Sequence, residues 1–196
     1  MNSVETALHR VAADLRHCRI LWAVVGGFAV SSRAEPRFTR DVDVAVTTAD
    51  DTAAEACVAS LLAKGYQLAA CVEQEAVGRL ATVRLTLPNS GIDGVLVDVL
   101  FASSGIEPEI VAMAEPLEVL PGLIVSVAQI GHLLALKLLA RDDKSQPQDA
   151  IDLRSLIEVA AAEDCAIARA AVNLIIERGF HRDRDLQRDL SVLLGS

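Results

Sequence analysis

Aromatic side chains are scarce in this sequence: one Trp, one Tyr and four Phe make up 3% of 196 residues. With 52% of the chain hydrophobic, Leu, Val, Ile and Ala must fill the core instead. Cysteine is also thin. Cys18, Cys57, Cys71 and Cys165 show no C-x-x-C spacing, and no close pair of His residues completes a zinc set, which argues against a structural zinc site. Four free, buried thiols are expected, as suits a cytoplasmic protein. No basic stretch precedes an apolar run near the start, so no signal peptide is expected. The run from Val119 to Leu136 has 18 residues without charge, but it contains Pro121, Gly122, Ser126, Gln129 and His132. It reads as a turn and a buried helix, not a membrane span. Positive charge is in deficit: the net charge of −9 argues against broad, nonspecific nucleic-acid binding and leaves room only for a local basic patch. The length allows one domain, or a domain with a helical extension.

What is present is concentrated between Val24 and Val46, VVGGFAVSSRAEPRFTRDVDVAV. Gly26-Gly27 follow an apolar run, and Asp41 comes fourteen residues after Gly27, with Asp43 two further on. On a strand, side chains at i and i+2 share a face, so both carboxylates would project together. They repel unless a cation sits between them, and hard oxygen ligands of this kind suit Mg²⁺ completed by water and substrate phosphates. The glycines let backbone approach a phosphate, and a helix starting there would offer N-terminal amides to the same anion. The plainer reading of DVDVAV is a half-exposed strand with a polar outer face, and of Gly-Gly an ordinary turn. Arg33, Arg37 and Arg40 form the basic group nearest the acidic pair. A second group, Arg10, Arg16, His17 and Arg19, sits on or after the first helix, and a third, Arg178, Arg182, Arg184 and Arg188, is interspersed with Asp183, Asp185 and Asp189 and reads as a solvated helix face with internal ion pairs.

Periodicity predicts a mixed α/β order. Ser3 can cap a helix reaching about Cys18, with Val4, Leu8, Val11 and Leu15 on one face. A strand at Ile20–Val25, a short helix at Gly26–Arg33 ended before Pro36, and a strand at Thr39–Val46 follow. Next come a helix at Asp50–Lys64 stopped by Gly65, then strands at Tyr66–Val72, Arg79–Leu87 and Val95–Phe101, with Pro88-Asn89-Ser90-Gly91 as a turn. Ser126 and Gln129 form a capping-box arrangement before a helix at Val127–Arg141. Helices at about Gln148–Ala161, Ala166–Arg178 and Arg182–Leu194 complete the chain. The composition change predicts a catalytic α/β half, 1–126, and a helical half, 127–196, packed as one unit.

Asp98 interrupts the apolar strand GVLVDVLF. A charge there either points outward or faces a metal, because burying it alone is costly; Asp93, in the turn, is the weaker alternative. Lys137 interrupts an equally apolar helix, either snorkelling to solvent or facing a cleft. Asp149 and Asp152, three residues apart, share one helix face.

GGFAV followed by TRDVDVAV resembles the DNA polymerase β-like nucleotidyltransferase superfamily, whose members carry Gly-Gly or Gly-Ser, an Asp-x-Asp or Asp-x-Glu pair and a third carboxylate on a later strand. KLLARDDKSQPQDAIDL, with Lys137, Ala140, Asp149, Asp152 and Leu153 at matching spacing, resembles the C-terminal half of AbiEii-type nucleotidyltransferase toxins, including the MenT-type group. Lys144 stands where that pattern has arginine, which keeps the charge but loses the bidentate fork. The resemblance implies a nucleotidyltransferase-type mixed sheet with flanking helices, followed by a helical half. It implies transfer of NMP from an NTP to an RNA acceptor, with the tRNA 3′ end as the target, and neutralisation by a cognate antitoxin. Carried onto this sequence, Asp41 and Asp43 bind Mg²⁺, Lys137 contacts the triphosphate, and Asp152 is a further acid or base, or orients Lys137. Asp98 becomes a third metal ligand or the general base. Gly26, Gly27 and Ser31 or Ser32 grip phosphates, while Lys137 and Arg40 offset charge on the leaving pyrophosphate. Thr39 becomes a candidate for regulatory phosphorylation. Two other readings fit the same residues. WAVVGGFAV and TRDVDVAV resemble aminoglycoside- and lincosamide-modifying enzymes nearly as well, and an acidic protein suits a cationic drug. A noncatalytic partner module of the same fold would have lost an acid or the glycines, and none is missing.

Overall fold

The computed structural model describes residues 3–74, 77–87, 94–141 and 147–195. The turn expected at Pro88–Gly91, together with Asp93, Asp142 and Lys144, lies outside the described residues. Helix α1 (Ser3–His17) leads to strand β1 (Trp22–Val24), helix α2 (Gly26–Arg33), strand β2 (Val42–Val46) and helix α3 (Asp51–Leu62). Strands β3 (Gln67–Gln74), β4 (Arg79–Thr86) and β5 (Leu96–Leu100) follow, then helix α4 (Glu107–Met113) and strands β6 (Glu115–Leu120) and β7 (Leu123–Val127). Helices α5 (Ile130–Ala140), α6 (Pro147–Val159), α7 (Ala162–Glu177) and α8 (Leu186–Leu194) complete the order.

The strands form one mixed sheet of seven in the order β3-β4-β5-β2-β1-β7-β6. β2 pairs with β5, and β1 with β7, in parallel; the other neighbours are antiparallel. Val42 and Val44 of β2, and Val97 and Val99 of β5, are buried in this centre. The expected face of α1 is likewise buried through Val4, Leu8, Val11 and Leu15. Asp50 caps α3 by accepting the Ala53 N–H at 2.9 Å, and Gly65 leaves that helix at φ 92°.

Several boundaries differ from the sequence reading. β2 starts only at Val42, so Thr39 and Asp41 precede the strand. Ser126 belongs to β7, and α5 is entered through Gln129 without a side-chain cap, so the expected capping box does not form. α4 and the β6–β7 hairpin were not anticipated, and α8 begins four residues later than expected. The thiols are free, but only Cys57 is buried and Cys71 is exposed. One of the expected internal ion pairs forms, Arg184 to Asp189 at 3.0 Å, but the C-terminal arginines otherwise reach outward rather than forming a solvated face. Arg178 reaches Glu109 on α4 at 2.7 Å, Arg182 donates to the Ser103 carbonyl at 3.1 Å, and Arg184 donates to the Arg141 carbonyl at 2.9 Å, so they fasten the last helices to the sheet half and to α5.

α5 is apolar nearly all round, as a helix inside a core must be: Leu133, Leu134, Leu138 and Leu139 are all buried. It packs on α7, α6 and α2. This seats Lys137, its one cation, against the same end of α2 that carries the glycines. Among the described residues no helix is long and apolar enough to cross a membrane.

Candidate active site

Three charged residues stand in register across the sheet. Asp43 on β2 lies opposite Asp98 on β5, and Asp98 lies opposite Arg84 on β4. Directly opposed residues share a face, so this row faces one side. Asp41, just ahead of β2, joins Asp43 and Asp98 in the wall of one cleft of ≈ 550 Å³. Gly27, Thr39, Arg40 and Lys137 line the same cleft. The sequence reading of two carboxylates projecting together therefore holds in space, although only Asp43 is on the strand.

The glycines have a steric reason nearer than any phosphate. Gly26 has φ +61°, and a Cβ there would lie 1.9 Å from Oδ2 of Asp43. A Cβ on Gly27 would lie 2.5 Å from Oγ1 of Thr39. Only glycine at both positions lets Asp43 and Thr39 pack against the start of α2, where the Gly27 N–H donates to Asp43. The serines are committed elsewhere. Ser31 Oγ donates to the Arg37 carbonyl at 3.3 Å and accepts its N–H at 3.2 Å, while Ser32 Oγ donates to the Phe28 carbonyl at 2.8 Å. Neither lines the carboxylate cleft.

The acids differ in their surroundings. Burial pushes the Asp43 carboxyl up to about 6, reinforced by Asp98 and Asp41 and opposed by Lys137 and the Gly27 N–H. Burial also raises Asp41, with Asp98 adding to it and Arg84 and Arg40 opposing. Among the described residues neither Asp41 nor Asp43 forms an ion pair. Asp98 is different: Arg84 grips it with both arms, Nε to Oδ1 at 2.7 Å and Nη2 to Oδ2 at 2.6 Å. As a third metal ligand or a proton acceptor, Asp98 must first lose that partner, and 44% exposure of the Arg84 side chain leaves it room to move. No group of three His, Cys, Asp or Glu side chains converges as a ready-made metal site among the described residues. Two unneutralised carboxylates do, however, match the habit of Mg²⁺, which takes one or two protein carboxylates and fills the rest of its shell with water and phosphate oxygens.

Across the cleft, Lys137 is not snorkelling. Its Nζ donates to Asp149 Oδ1 and Asp152 Oδ2, each at 2.8 Å. Burial pulls this ammonium down, but the two hydrogen bonds outweigh it and leave it raised. Asp152, with a side chain only 1% exposed, also takes both arms of Arg37 at 2.7 and 2.8 Å and the Gln148 amide at 3.0 Å. Burial alone would raise its carboxyl; these donors hold it below the ordinary range. Such a carboxylate is a poor base and a good anchor. The second oxygen of Asp149 is buried without a hydrogen-bond partner among the described residues. Asp149, Lys137, Asp43 and Gly26 also border a smaller cavity of ≈ 170 Å³.

Arg84 and the link from Arg37 to Asp152 were not read from the sequence. Arg37 belonged to the basic group noted there, but nothing local identifies a partner 115 residues away. Arg84 carried a weak signal: one cation in the alternating strand LATVRLTL, which lies one strand from Asp98 and two from Asp43.

The family described as "Nucleotidyl transferase AbiEii toxin, Type IV TA system" matches residues 11–193. Among solved structures, the chain is similar to an antigenic nucleotidyltransferase-like protein from Paracoccidioides brasiliensis, at 19% identity over 98% of this chain and 92% of that one, with a TM-score of 0.56. It is also similar to the lincosamide antibiotic adenylyltransferase LnuA bound to lincomycin, at 13% identity over 81% of this chain and 100% of that one, with a TM-score of 0.50. At these identities the structural likeness speaks for the nucleotidyltransferase fold. No curated protein sequence matches the chain significantly.

Proposed function

The chain belongs to the AbiEii nucleotidyltransferase toxin family, and from that premise we propose that it transfers NMP from an NTP to an RNA acceptor, the tRNA 3′ end foremost. In this reading it is the toxin of a pair whose antitoxin is a separate protein. The observation that carries the chemistry is the pair Asp41 and Asp43, both raised and without ion pairs among the described residues, facing Lys137 across one cleft beside Gly27. Asp41 and Asp43 are the residues that would hold Mg²⁺, which when bound would supply charge neutralisation to the NTP phosphates.

The chain's own residues do the remaining work. Nucleotidyl transfer needs alignment and charge compensation more than covalent help. The acceptor hydroxyl oxygen bonds to the α-phosphorus as the bond to the pyrophosphate oxygen breaks. Lys137 and Arg40 offset the charge that collects on the departing pyrophosphate. Asp98, released by Arg84, takes the proton of the attacking hydroxyl. Asp152 holds Lys137 and Arg37 in place instead of moving protons. Thr39, against Gly27, is the proposed site of inhibitory phosphorylation.

The net charge of −9 favours one other reading, a cationic small-molecule acceptor. A single assay separates them: the protein is incubated with Mg²⁺, each labelled NTP in turn, and total tRNA or an aminoglycoside. Label on RNA is the expected result. Label only on the aminoglycoside supports the second reading, and no transfer to either acceptor overturns both.

A further inference from the structure

Five of the six aromatic side chains are buried: Trp22, Phe28, Tyr66, Phe101 and Phe180 are at most 8% exposed. Phe38 is 71% exposed. In a chain so poor in aromatics, the one ring left in water stands at the rim of the carboxylate cleft, one residue from Thr39 and three from Asp41. It also borders a second depression of ≈ 450 Å³.

The loop beneath this ring is fastened. Ser31 holds the Arg37 backbone from both sides, at 3.2 and 3.3 Å. The Phe38 carbonyl accepts from Arg37 Nη1 at 3.1 Å, and the same guanidinium is locked onto buried Asp152. An exposed apolar side chain on a mobile tip would need no explanation. An exposed ring on a segment tied down by five hydrogen bonds is presented. Its face is flat and uncharged, and exposed Arg40 stands two residues away beside the same cleft. A ring face next to a cation is the combination on which nucleobases stack while a neighbouring phosphate is held.

We propose that Phe38 is a stacking platform for a nucleobase at the mouth of the active site. The base belongs either to the donor NTP or to the acceptor strand; the chemistry recognised is the same. The acceptor source rests on the RNA reading above, whereas the donor source needs only nucleotidyl transfer.

The test is equilibrium binding to the full chain in Mg²⁺, using three probes: an NTP, a short single-stranded oligoribonucleotide and inorganic tripolyphosphate. Phe38→Ala is compared with Phe38→Leu and Phe38→Trp, none of which disturbs the core at so exposed a position. Loss of one stack is expected to weaken the NTP or the oligonucleotide about tenfold or more in Phe38→Ala. Phe38→Leu should fail to recover it, Phe38→Trp should recover it, and tripolyphosphate affinity should stay unchanged. Whichever base-bearing probe responds identifies the source. Unchanged affinity for both base-bearing probes overturns the proposal, as does full recovery by Leu or an equal loss of tripolyphosphate. Wild-type protein that fails to label RNA but loses NTP affinity in Phe38→Ala would reject the RNA reading while keeping the platform.

Discussion

At Asp43, two demands oppose each other: the fold half-buries a carboxylate beside Asp98 and Asp41, and the proposed chemistry needs it ionised. Its carboxyl is pushed up to about 6 in the native protein from an ordinary 3.8. The native state then binds the proton more tightly than the unfolded chain, so this group's contribution to stability falls as pH rises from about 4 to about 6 and is flat above. Other carboxylates, such as Asp152, act with the opposite sign, so the comparison must be with Asp43→Asn. Thermal unfolding in EDTA should show wild type and Asp43→Asn alike near pH 4, with the variant increasingly the more stable towards pH 7. Mg²⁺ should raise the wild-type midpoint and leave the variant's unmoved. Transfer by Asp43→Asn should fall below a tenth of wild type, a cost above ~1.4 kcal/mol. A stability gap that does not change with pH would remove the electrostatic premise. Thr39 supports a second expectation at this scale. Its Oγ1 donates to the Asp41 carbonyl at 3.3 Å and lies where a Gly27 Cβ would be. A phosphate there adds about −1.5 to −2 charges beside two acids and competes with the NTP for Arg40. Thr39→Glu should be inactive and Thr39→Val appreciably active. Intact mass of the protein, expressed alone and with its genomic neighbour, tests the modification; an unmodified residue in both samples and an active Thr39→Glu would end it.

Arg37 joins elements: it ties the loop between α2 and β2 to α6 through Asp152, and Asp152 in turn ties α6 to Lys137 on α5. Arg37→Ala should be destabilising by somewhat less than the ~3–5 kcal/mol typical of removing one partner from a buried pair, because Lys137 still faces the carboxylate. Arg37→Lys keeps the charge but not the fork and should fall between. Urea midpoints read the stability. The kinetic consequence should be a fall in kcat with NTP affinity less affected, since the loop carrying Thr39 and Asp41 loses its alignment. Wild-type kcat in Arg37→Ala would confine the residue to a structural role. This tether also marks how far the elements were legible. α2 was read residue for residue because an apolar run, two glycines and a following Pro36 punctuate it. β4 and β5 were placed within a residue at each end. The β6–β7 hairpin was hidden because Ile124 points outward, 57% exposed, so the alternation in LIVSV looks like a continuous apolar run. α4 is only seven residues long, too short for a periodic signal. For the site, the spacing of Asp41, Asp43, Lys137, Asp149 and Asp152 was visible. The pairings Arg37 with Asp152 and Arg84 with Asp98 were not, because sheet register and helix docking create them.

Over the whole molecule, the net charge of −9 sets the terms on which any acceptor approaches. A polyanion is repelled at long range and, within the cleft, attracted near Arg37, Arg40, Lys137 and Arg84, three of which already hold carboxylates. Few phosphate contacts mean little counterion release, at roughly 0.7 per contact on a single strand. Salt also screens the long-range repulsion, which further flattens the response. The expected result is that the KM for the RNA acceptor changes less than tenfold between 50 and 200 mM KCl, far from the ~10³–10⁵ of proteins making six to ten phosphate contacts. A cationic small-molecule acceptor would behave differently. It is drawn in by the whole acidic surface, so its KM should climb steadily with salt. Steady-state transfer to tRNA and to an aminoglycoside across that salt range therefore separates the two acceptors by the shape of the curve as well as by the presence of product. A steep loss of RNA affinity with salt would show an extended basic contact and would overturn the picture of an acidic enzyme that engages only the end of its acceptor.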